Sequence, residues 1–478
     1  MTDYAAVDLG ATSGRVVRGS LDDGRVELEE VHRFDNRPVR LPDGLRWNLL
    51  HLFTETLTGL RRAGELAGVG VDTWGVDYAL LDGENRVLGL PFHYRDDRTD
   101  GMIERAFERV PAERLYAAAG IQTMPINTVF QLLADEGSAA LEAAQRIALT
   151  PDLLALWLCG ELANERTNAS TTGLLDARSG EWASELIGEL GLPERLFGPL
   201  AEPGTELGPL LGHHDLGDTP VYAVASHDTA SAFAAVPVDE HAAVLSSGTW
   251  SLLGLELPEP VLSDAARDAT LTNERGIDGT TRLLKNVMGL WLLEESRRSW
   301  DAASYEELNR LAKEAEPDVP LFDPDADEFL RPGDMPARIA AVCERTGQPA
   351  PDGVGATVRS ILVSLACKYR WTLERLEAVS GRDVRRIHVI GGGARNDLLC
   401  RLTADLCGCE VLAGPVEATA LGNVLVQARG AGELASLAEL RDAAAASAEP
   451  KLHEPSGDGE TYERFLAVTG LRVEERAS

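Results

Sequence analysis

Lysine is nearly absent from this chain: Lys285, Lys313, Lys368 and Lys451 are its only representatives, so its cations are otherwise arginines. That bias fits a high-GC genome or a salt-adapted surface and implies no binding role. Basic residues as a whole are scarce, 45 Lys plus Arg against 77 Asp plus Glu, a formal net charge of -32. A polyanion such as DNA would be repelled before short-range contacts formed, which excludes partners held by a generic basic surface. Cysteine is sparse, and Cys407-Gly408-Cys409 lacks the second pair that a zinc site needs, so the six cysteines read as reduced, mostly buried thiols. No apolar run reaches the roughly 18 residues of a membrane span. The opening Met1-Thr2-Asp3-Tyr4 leads directly into a strand pattern, with no basic region or apolar signal segment. The expectation is a soluble, cytoplasmic protein. Two nucleotide signatures are missing as well: the G-x-G-x-x-G dinucleotide fingerprint and the G-x-x-x-x-G-K-[ST] loop, and without the latter a P-loop kinase is excluded.

What is present is a long chain, 478 residues with 44% hydrophobic and 26% charged, enough for two large halves. Residues 4–9, 15–21 and 26–34 read as antiparallel strands joined by tight turns. A helical pattern follows over 48–63, with Leu49, Leu52, Phe53, Leu57 and Leu60 in phase, and 68–72 returns as a strand. A similar opening recurs at 242–255, where Ala242-Ala243-Val244-Leu245 leads into Ser246-Ser247-Gly248-Thr249 and a second apolar run. Two such units half a chain apart suggest repeated cores, with a boundary near 236–240. Further on come a long helix over 354–379, a strand over 386–390, a helix over 396–407, a strand over 410–412, a helix within 434–447, and a frayed tail over 472–478. Strands alternating with helices mean a mixed α/β sheet with helical cover.

Asp8-Leu9-Gly10-Ala11-Thr12-Ser13-Gly14-Arg15 sets a carboxylate at a strand end, then glycines and hydroxyls in a hairpin, then a cation. Glycines let backbone N–H groups approach phosphate oxygens, and hydroxyls and arginine add donors and charge. An ordinary Gly-rich turn explains this segment equally well by itself. Ser246-Ser247-Gly248-Thr249 repeats the chemistry, and Val389-Ile390-Gly391-Gly392-Gly393-Ala394-Arg395-Asn396 offers flat backbone between a strand and a helix. Asp228 follows the apolar strand 221–225 and opens a run of small residues; on residue type alone it serves equally as a base or as the cap of a helix starting near Thr229.

These motifs, in this order and at these intervals, resemble the two phosphate motifs and the adenosine motif of actin-like ATPases, specifically the FGGY carbohydrate kinases. The resemblance to the L-rhamnulose-phosphorylating branch of that family spans almost the whole chain, through 71–77 (VDTWGVD), 94–99 (YRDDRT), 225–232 (ASHDTASA), 285–291 (KNVMGLW) and 413–418 (AGPVEA). It implies an α/β fold of two actin-like (ribonuclease H-like) ATPase domains, 1–236 and 237–478, with a catalytic cleft between them. It implies ATP as co-substrate, Mg²⁺ as cofactor and L-rhamnulose as acceptor, phosphorylated at the C1 hydroxyl during L-rhamnose breakdown. It places the catalytic base on Asp228, the sugar contacts on Gly75, His227, Asp228, Thr229 and Asn286, and the magnesium anchor on Asp8. Nucleotide contacts fall on Ala11, Thr12, Ser13, Gly14, Arg15, Thr249, Glu294 and Gly392. Glu294 departs from the pattern, which has glutamine there, and leaves nucleotide preference open. Asp77 and the cluster 95–98 are either support behind the pocket or a paired surface patch. No nucleic-acid or membrane partner is expected, and homo-oligomerisation is left open. Another ketose or glycerol as acceptor, or a non-catalytic nucleotide-dependent sensor on the same fold, are the alternatives.

Overall fold

The computed structural model of the chain describes residues 1–300, 304–457 and 459–472. Past Arg472, the expected frayed tail lies outside the described residues. The strand, strand, strand, helix, strand order is present as Thr2–Leu9, Ser13–Asp22, Arg25–Asp35, Leu49–Ala63 and Gly68–Thr73, with a short hairpin, Val39–Leu41 and Gly44–Arg46, inserted before the helix. Residues 4–9 are apolar almost without alternation because that strand is covered on both faces. Ala5, Val7 and Leu9 enter one core with Val16, Leu49, Leu52 and Leu60; Tyr4 and Ala6 enter another with Val17, Val224, Ala420 and Val424. The helix begins where Asn48 accepts a hydrogen bond from the His51 N–H.

The described chain divides into two compact units. The first comprises Met1–Pro237, Glu256–Leu283 and Ala418–Ala448; the second comprises Val238–Leu255, Leu284–Glu417 and the described residues after Ala448. Two stretches of the C-terminal half, 256–283 and 418–448, therefore belong with the first unit. The sequence boundary at 236 follows the chain and cannot anticipate this, because the apolar face of the helix Ala418–Gly430 finds its partners on strands near the N-terminus.

The sheet of the first unit runs Thr205–Pro209, Pro220–Ala223, Gly68–Thr73, Thr2–Leu9, Ser13–Asp22, Arg25–Asp35. The three inner strands 220–223, 68–73 and 2–9 are parallel, and the strands flanking them are antiparallel. In this register Asp8 pairs with Asp72 across the parallel contact and with Arg15 across the hairpin. The second unit repeats the pattern: Trp250–Leu257 pairs antiparallel with Ala242–Ser247, which runs parallel to Arg386–Ile390 and through it to Glu410–Ala413, and Lys451–His453 closes the edge antiparallel. The likeness seen between residues 5–10 and 242–247 is thus a likeness of sheet position. Long helical cover comes from Gly353–Ser380, packed against Asp397–Cys407. The six cysteines form no disulfide among the described residues, and only Cys407 is not fully buried.

Candidate active site

In the first unit the hairpin after Leu9 is closed by Gly10 N–H donating to the Ser13 carbonyl at 2.9 Å, and Asn36 fastens it from the next strand through its backbone N–H to the Thr12 carbonyl and its side chain to the Gly10 carbonyl. Ala11, Thr12 and Ser13 stay open or half-open at the tip, whereas Gly14 is buried. Arg15 donates twice to Asp8 Oδ2, at 2.9 and 2.6 Å. Asp72, on the neighbouring parallel strand, is fully buried; its Oδ2 accepts from Asn423 of the helix Ala418–Gly430, and its Oδ1 has no hydrogen-bond partner. Burial, then the charge of Asp8, pushes the Asp72 carboxyl well above its ordinary value, and Asp228 adds to the push. Three carboxylates therefore share one field.

Gly75 lies in a turn that continues the strand Gly68–Thr73. A Cβ there would stand 2.8 Å from Thr171 Oγ1, so only glycine fits. The next residue, Val76, holds φ at 68°, a strained value for a β-branched residue. Hydrogen bonds hold it there: Val76 N–H donates to Thr171 Oγ1 at 3.0 Å, and the Val76 carbonyl accepts from Thr128 Oγ1 at 2.6 Å. Beneath this turn Asp77 Oδ2 accepts from the indoles of Trp47 at 2.5 Å and Trp74 at 3.0 Å, and Oδ1 accepts from Gln131 at 2.8 Å. The two indoles stack with centroids 4.0 Å apart, and His93 stacks on the far side of Trp47 at 4.1 Å. Burial pushes Asp77 up to about 6 and His93 down to about 3. Asp77 is thus the buried anchor of an aromatic stack. Of the cluster 95–98, Asp96 is buried and accepts from Leu45 N–H, and Arg98 pairs with Asp135; both are support within the fold.

The Gly75 turn and the Asp228 segment lie side by side, because Thr73 N–H donates to the Ser226 carbonyl at 2.9 Å and Thr73 bridges to His227. Glu165, wholly buried, fastens that segment from below. Its Oε2 accepts from Ser226 N–H and Oγ, both at 2.9 Å, from Thr167 Oγ1 at 2.6 Å and from Asn168 N–H at 3.1 Å; its Oε1 accepts from Thr167 N–H at 2.8 Å. Asp228 opens the helix Asp228–Ala234 as its first residue, so the cap position falls to His227 and not to Asp228. A third of the Asp228 side chain, 33%, stays accessible, which leaves one face for a ligand. Thr229 Oγ1 donates to its Oδ1 at 2.9 Å. Partial burial pushes the Asp228 carboxyl up, His227 pulls it back, and the Asp8 charge pushes it up again.

In the second unit the Ser246–Thr249 hairpin meets the glycine turn. Gly391 has φ 77° and packs over the Ser247 carbonyl, and a Cβ on Gly393 would stand 2.0 Å from Ser247 Oγ. Gly392 begins the short 3-10 turn Gly392–Arg395, exposed and open above. The Thr249 and Gly248 carbonyls accept from Trp291 and Leu290 N–H at the start of the helix Trp291–Arg298, which carries Glu294. Glu294 is paired with Arg297 at 3.3 Å and accepts from the Tyr305 hydroxyl, so its extra charge is matched locally. Asn286, half-buried, lies on the strand Thr281–Met288.

Comparison with known proteins shows the family of the chain. Residues 4–234 match the N-terminal domain model, and 243–431 the C-terminal domain model, of the FGGY family of carbohydrate kinases. The chain belongs to that family. Among its similar relatives, the rhamnulokinase of Bacteroides thetaiotaomicron is 43% identical over 95% of this chain and 96% of its own, and that of Enterococcus faecalis is 39% identical over 98% of each. The rhamnulokinase of Bacillus subtilis is 39% identical over 92% of each. Of solved structures, the ligand-bound xylulose kinase from Lactobacillus acidophilus superposes with TM-score 0.78 at 14% identity, covering 98% of this chain and 96% of that one. Plasmodium falciparum glycerol kinase with ADP gives 0.76 at 14% identity, covering 98% and 97%. At such identities these two speak for the fold alone, a two-domain mixed α/β architecture of the actin-like type.

In this FGGY kinase the first unit brings together Asp8, the 11–15 hairpin, Gly75, His227, Asp228 and Thr229, and the second unit brings together Thr249, Gly392 and the helix bearing Glu294. The site residues named from sequence leave out Asp72, which lies inside the 71–77 motif, and Trp47, Glu165, Glu274, Arg282 and Asn423, which lie outside every motif. Of these, only Asp72 left a signal, a carboxylate in an otherwise apolar buried strand.

Proposed function

We propose that this FGGY kinase transfers the γ-phosphoryl group of ATP to the C1 hydroxyl of L-rhamnulose, giving L-rhamnulose 1-phosphate and ADP, as a cytoplasmic step of L-rhamnose breakdown. The observation that carries this reading is Asp228: a partly accessible carboxylate at the first position of a helix, beside the Gly75 turn, with its proton affinity raised by burial. Rhamnulokinases at 39–43% identity along nearly the whole chain support the choice of acceptor. In the reaction Asp228 takes the hydroxyl proton, the oxygen attacks the γ-phosphorus, and the bond to the bridging oxygen breaks, releasing ADP. Gly75, His227, Thr229 and Asn286 are assigned to the ketose. Ala11, Thr12, Ser13, Gly14, Arg15, Thr249, Glu294 and Gly392 are assigned to the nucleotide.

Magnesium fits the residues present. Asp8 and the orphaned Oδ1 of buried Asp72 stand on adjacent strands, and the mutual repulsion of Asp8, Asp72 and Asp228 is what a divalent cation would relieve. Among the described residues no three His, Cys, Asp or Glu side chains form a cage, which suits an ion that keeps waters and binds phosphate oxygens. When bound, the ion would join Arg15 in neutralising charge on the nucleotide phosphates, which the net negative charge of the chain does not favour.

ADP release with Mg-ATP against L-rhamnulose, L-fuculose, L-ribulose, D-xylulose, D-fructose and glycerol, with a no-sugar control, tests the reading. L-rhamnulose is expected to give the highest kcat/KM. Another acceptor in first place would refute the pocket assignment, and sugar-independent ATP turnover would refute the kinase role.

A further inference from the structure

Behind the Ser226–Thr229 segment lies a buried ion pair that none of the motifs contains. Arg282, with no exposed surface, stands on the strand Thr281–Met288, and Glu274, 4% exposed, on the strand Thr272–Arg275. Arg282 Nη1 lies 3.2 Å from Glu274 Oε2, and its Nε donates to the Arg275 carbonyl at 3.0 Å. The remaining arm, Nη2, lies 3.3 Å from Nδ1 of His227. On the other side of the ring, His227 Nε2 is 3.5 Å from Asp228 Oδ1.

We propose that Arg282, paired with Glu274, is a positioning residue that fixes the His227 proton on Nε2, so that the imidazole presents an N–H toward Asp228 and the acceptor hydroxyl. The proposal rests on the reading of Asp228 as base and goes one layer behind it. A guanidinium has donors and no acceptor and does not give up its proton in proteins, so a nitrogen facing Nη2 at 3.3 Å must accept. A neutral imidazole has one proton, which then sits on Nε2. The opposite tautomer would set two N–H groups nose to nose at Nδ1 and aim the Nε2 lone pair at a carboxylate. Glu274 Oε2 also lies 3.2 Å from Nδ1 but has no hydrogen-bond partner, so Nδ1 makes no hydrogen bond to it and Glu274 acts there as the counter-ion of Arg282. Without Glu274 the guanidinium would be an uncompensated charge in the interior. With Nδ1 committed to Arg282, His227 cannot relieve Asp228 of the proton taken from the sugar. That proton leaves from the Asp228 carboxyl itself.

The test reads the proton directly. Full-length protein labelled with ¹⁵N-histidine gives long-range ¹H–¹⁵N correlations for each ring, and the His227 ring is assigned by its loss in His227→Gln. A ring that carries its proton on Nε2 and none on Nδ1 is expected. A proton on Nδ1, with or without one on Nε2, overturns the proposal. In a second measurement, Arg282→Met is expected to lower kcat/KM for the ketose by about 10- to 100-fold, chiefly through kcat, with the ATP constant unchanged and partial recovery in Arg282→Lys. Unchanged turnover in a folded Arg282→Met protein overturns the positioning role, and if that variant does not fold, the wild-type tautomer decides. Because the tautomer is read without substrate, a failure of the L-rhamnulose assignment would leave it intact, and the two failures are distinguishable.

Discussion

Replacing Asp77 with asparagine separates a buried charge from the hydrogen bonds it makes. In the native protein its carboxyl is raised from an ordinary 3.8 to about 6, with burial the largest cause and the bonds from Gln131, Trp47, Trp74 and Tyr94 N–H opposing it. A raised folded-state value means that the folded chain holds this proton more tightly than the unfolded chain. The favourable contribution is therefore full below about pH 4 and is lost as pH rises through about 6. At about 1.4 kcal/mol per pH unit of displacement, the whole window amounts to about 3 kcal/mol, of which about 1.4 kcal/mol falls between pH 5 and 8. Asp77→Asn has no such term. Urea unfolding followed by tryptophan fluorescence, which Trp47 and Trp74 report directly, is expected to show wild type losing about 1.4 kcal/mol relative to the variant between pH 5 and 8. A wild-type-minus-variant difference that is flat with pH, or that grows in favour of wild type, would refute the reasoning. Groups titrating elsewhere cancel in that difference.

Asp228→Asn is expected to keep the fold and nucleotide binding while lowering turnover by on the order of 10² to 10⁴, the usual contribution of a positioned base; near-normal kcat in a steady-state ADP assay would remove it from the mechanism. Because burial and Asp8 raise the Asp228 carboxyl, the acidic limb of kcat/KM should fall above the ordinary carboxylate range, and a limb at or below that range would contradict the assignment. Glu165→Gln turns an amide N–H₂ toward the Thr167 N–H that now donates to Oε1, so it should cost about 2 kcal/mol in urea unfolding and lower kcat by loosening Ser226, and an unaffected kcat would confine Glu165 to stability. Gly422→Ala would place a Cβ 1.8 Å from the Ser231 carbonyl in the helix that starts at Asp228; a loss of about 3 kcal/mol with reduced turnover is expected, and a silent variant would mean that the two helices separate freely.

The elements of this fold were legible wherever one segment carries its own pattern. The strand at 386–390, the long helix ending near Gly381 and the hairpin after Leu9 stand in the structure within a residue or two of their sequence assignment, because alternation, periodicity and turn glycines are local. The turn between Ala242–Ser247 and Trp250–Leu257 was legible for the same reason. What could not be read is what depends on contact between distant segments. Nothing around Glu165 in sequence says that two of its five hydrogen bonds reach forward to Ser226, and nothing around Arg282 says that it faces His227. Asp77 was visible as a carboxylate, but its partner Trp47 lies thirty residues upstream on another segment. Asp228 illustrates a finer limit: residue type alone allows a base or a helix cap there, and a shift of one residue makes it the first helical position, with a third of its side chain accessible.

The return of residues 418–448 to the first unit sets an order on biosynthesis. Tyr4, Ala6 and Val17 face Ala420, Val424 and their neighbours, which leave the ribosome some four hundred residues later. Until then the nascent N-terminal sheet carries an apolar face without its cover, while Gly70 and Ala5 wait for Asn423 and Gln427 to reach their carbonyls. The 1–237 segment expressed alone would therefore be a sticky half-structure that favours chaperone binding and aggregation, and a chain truncated before Ala418 would lose the first unit even though every N-terminal motif is intact.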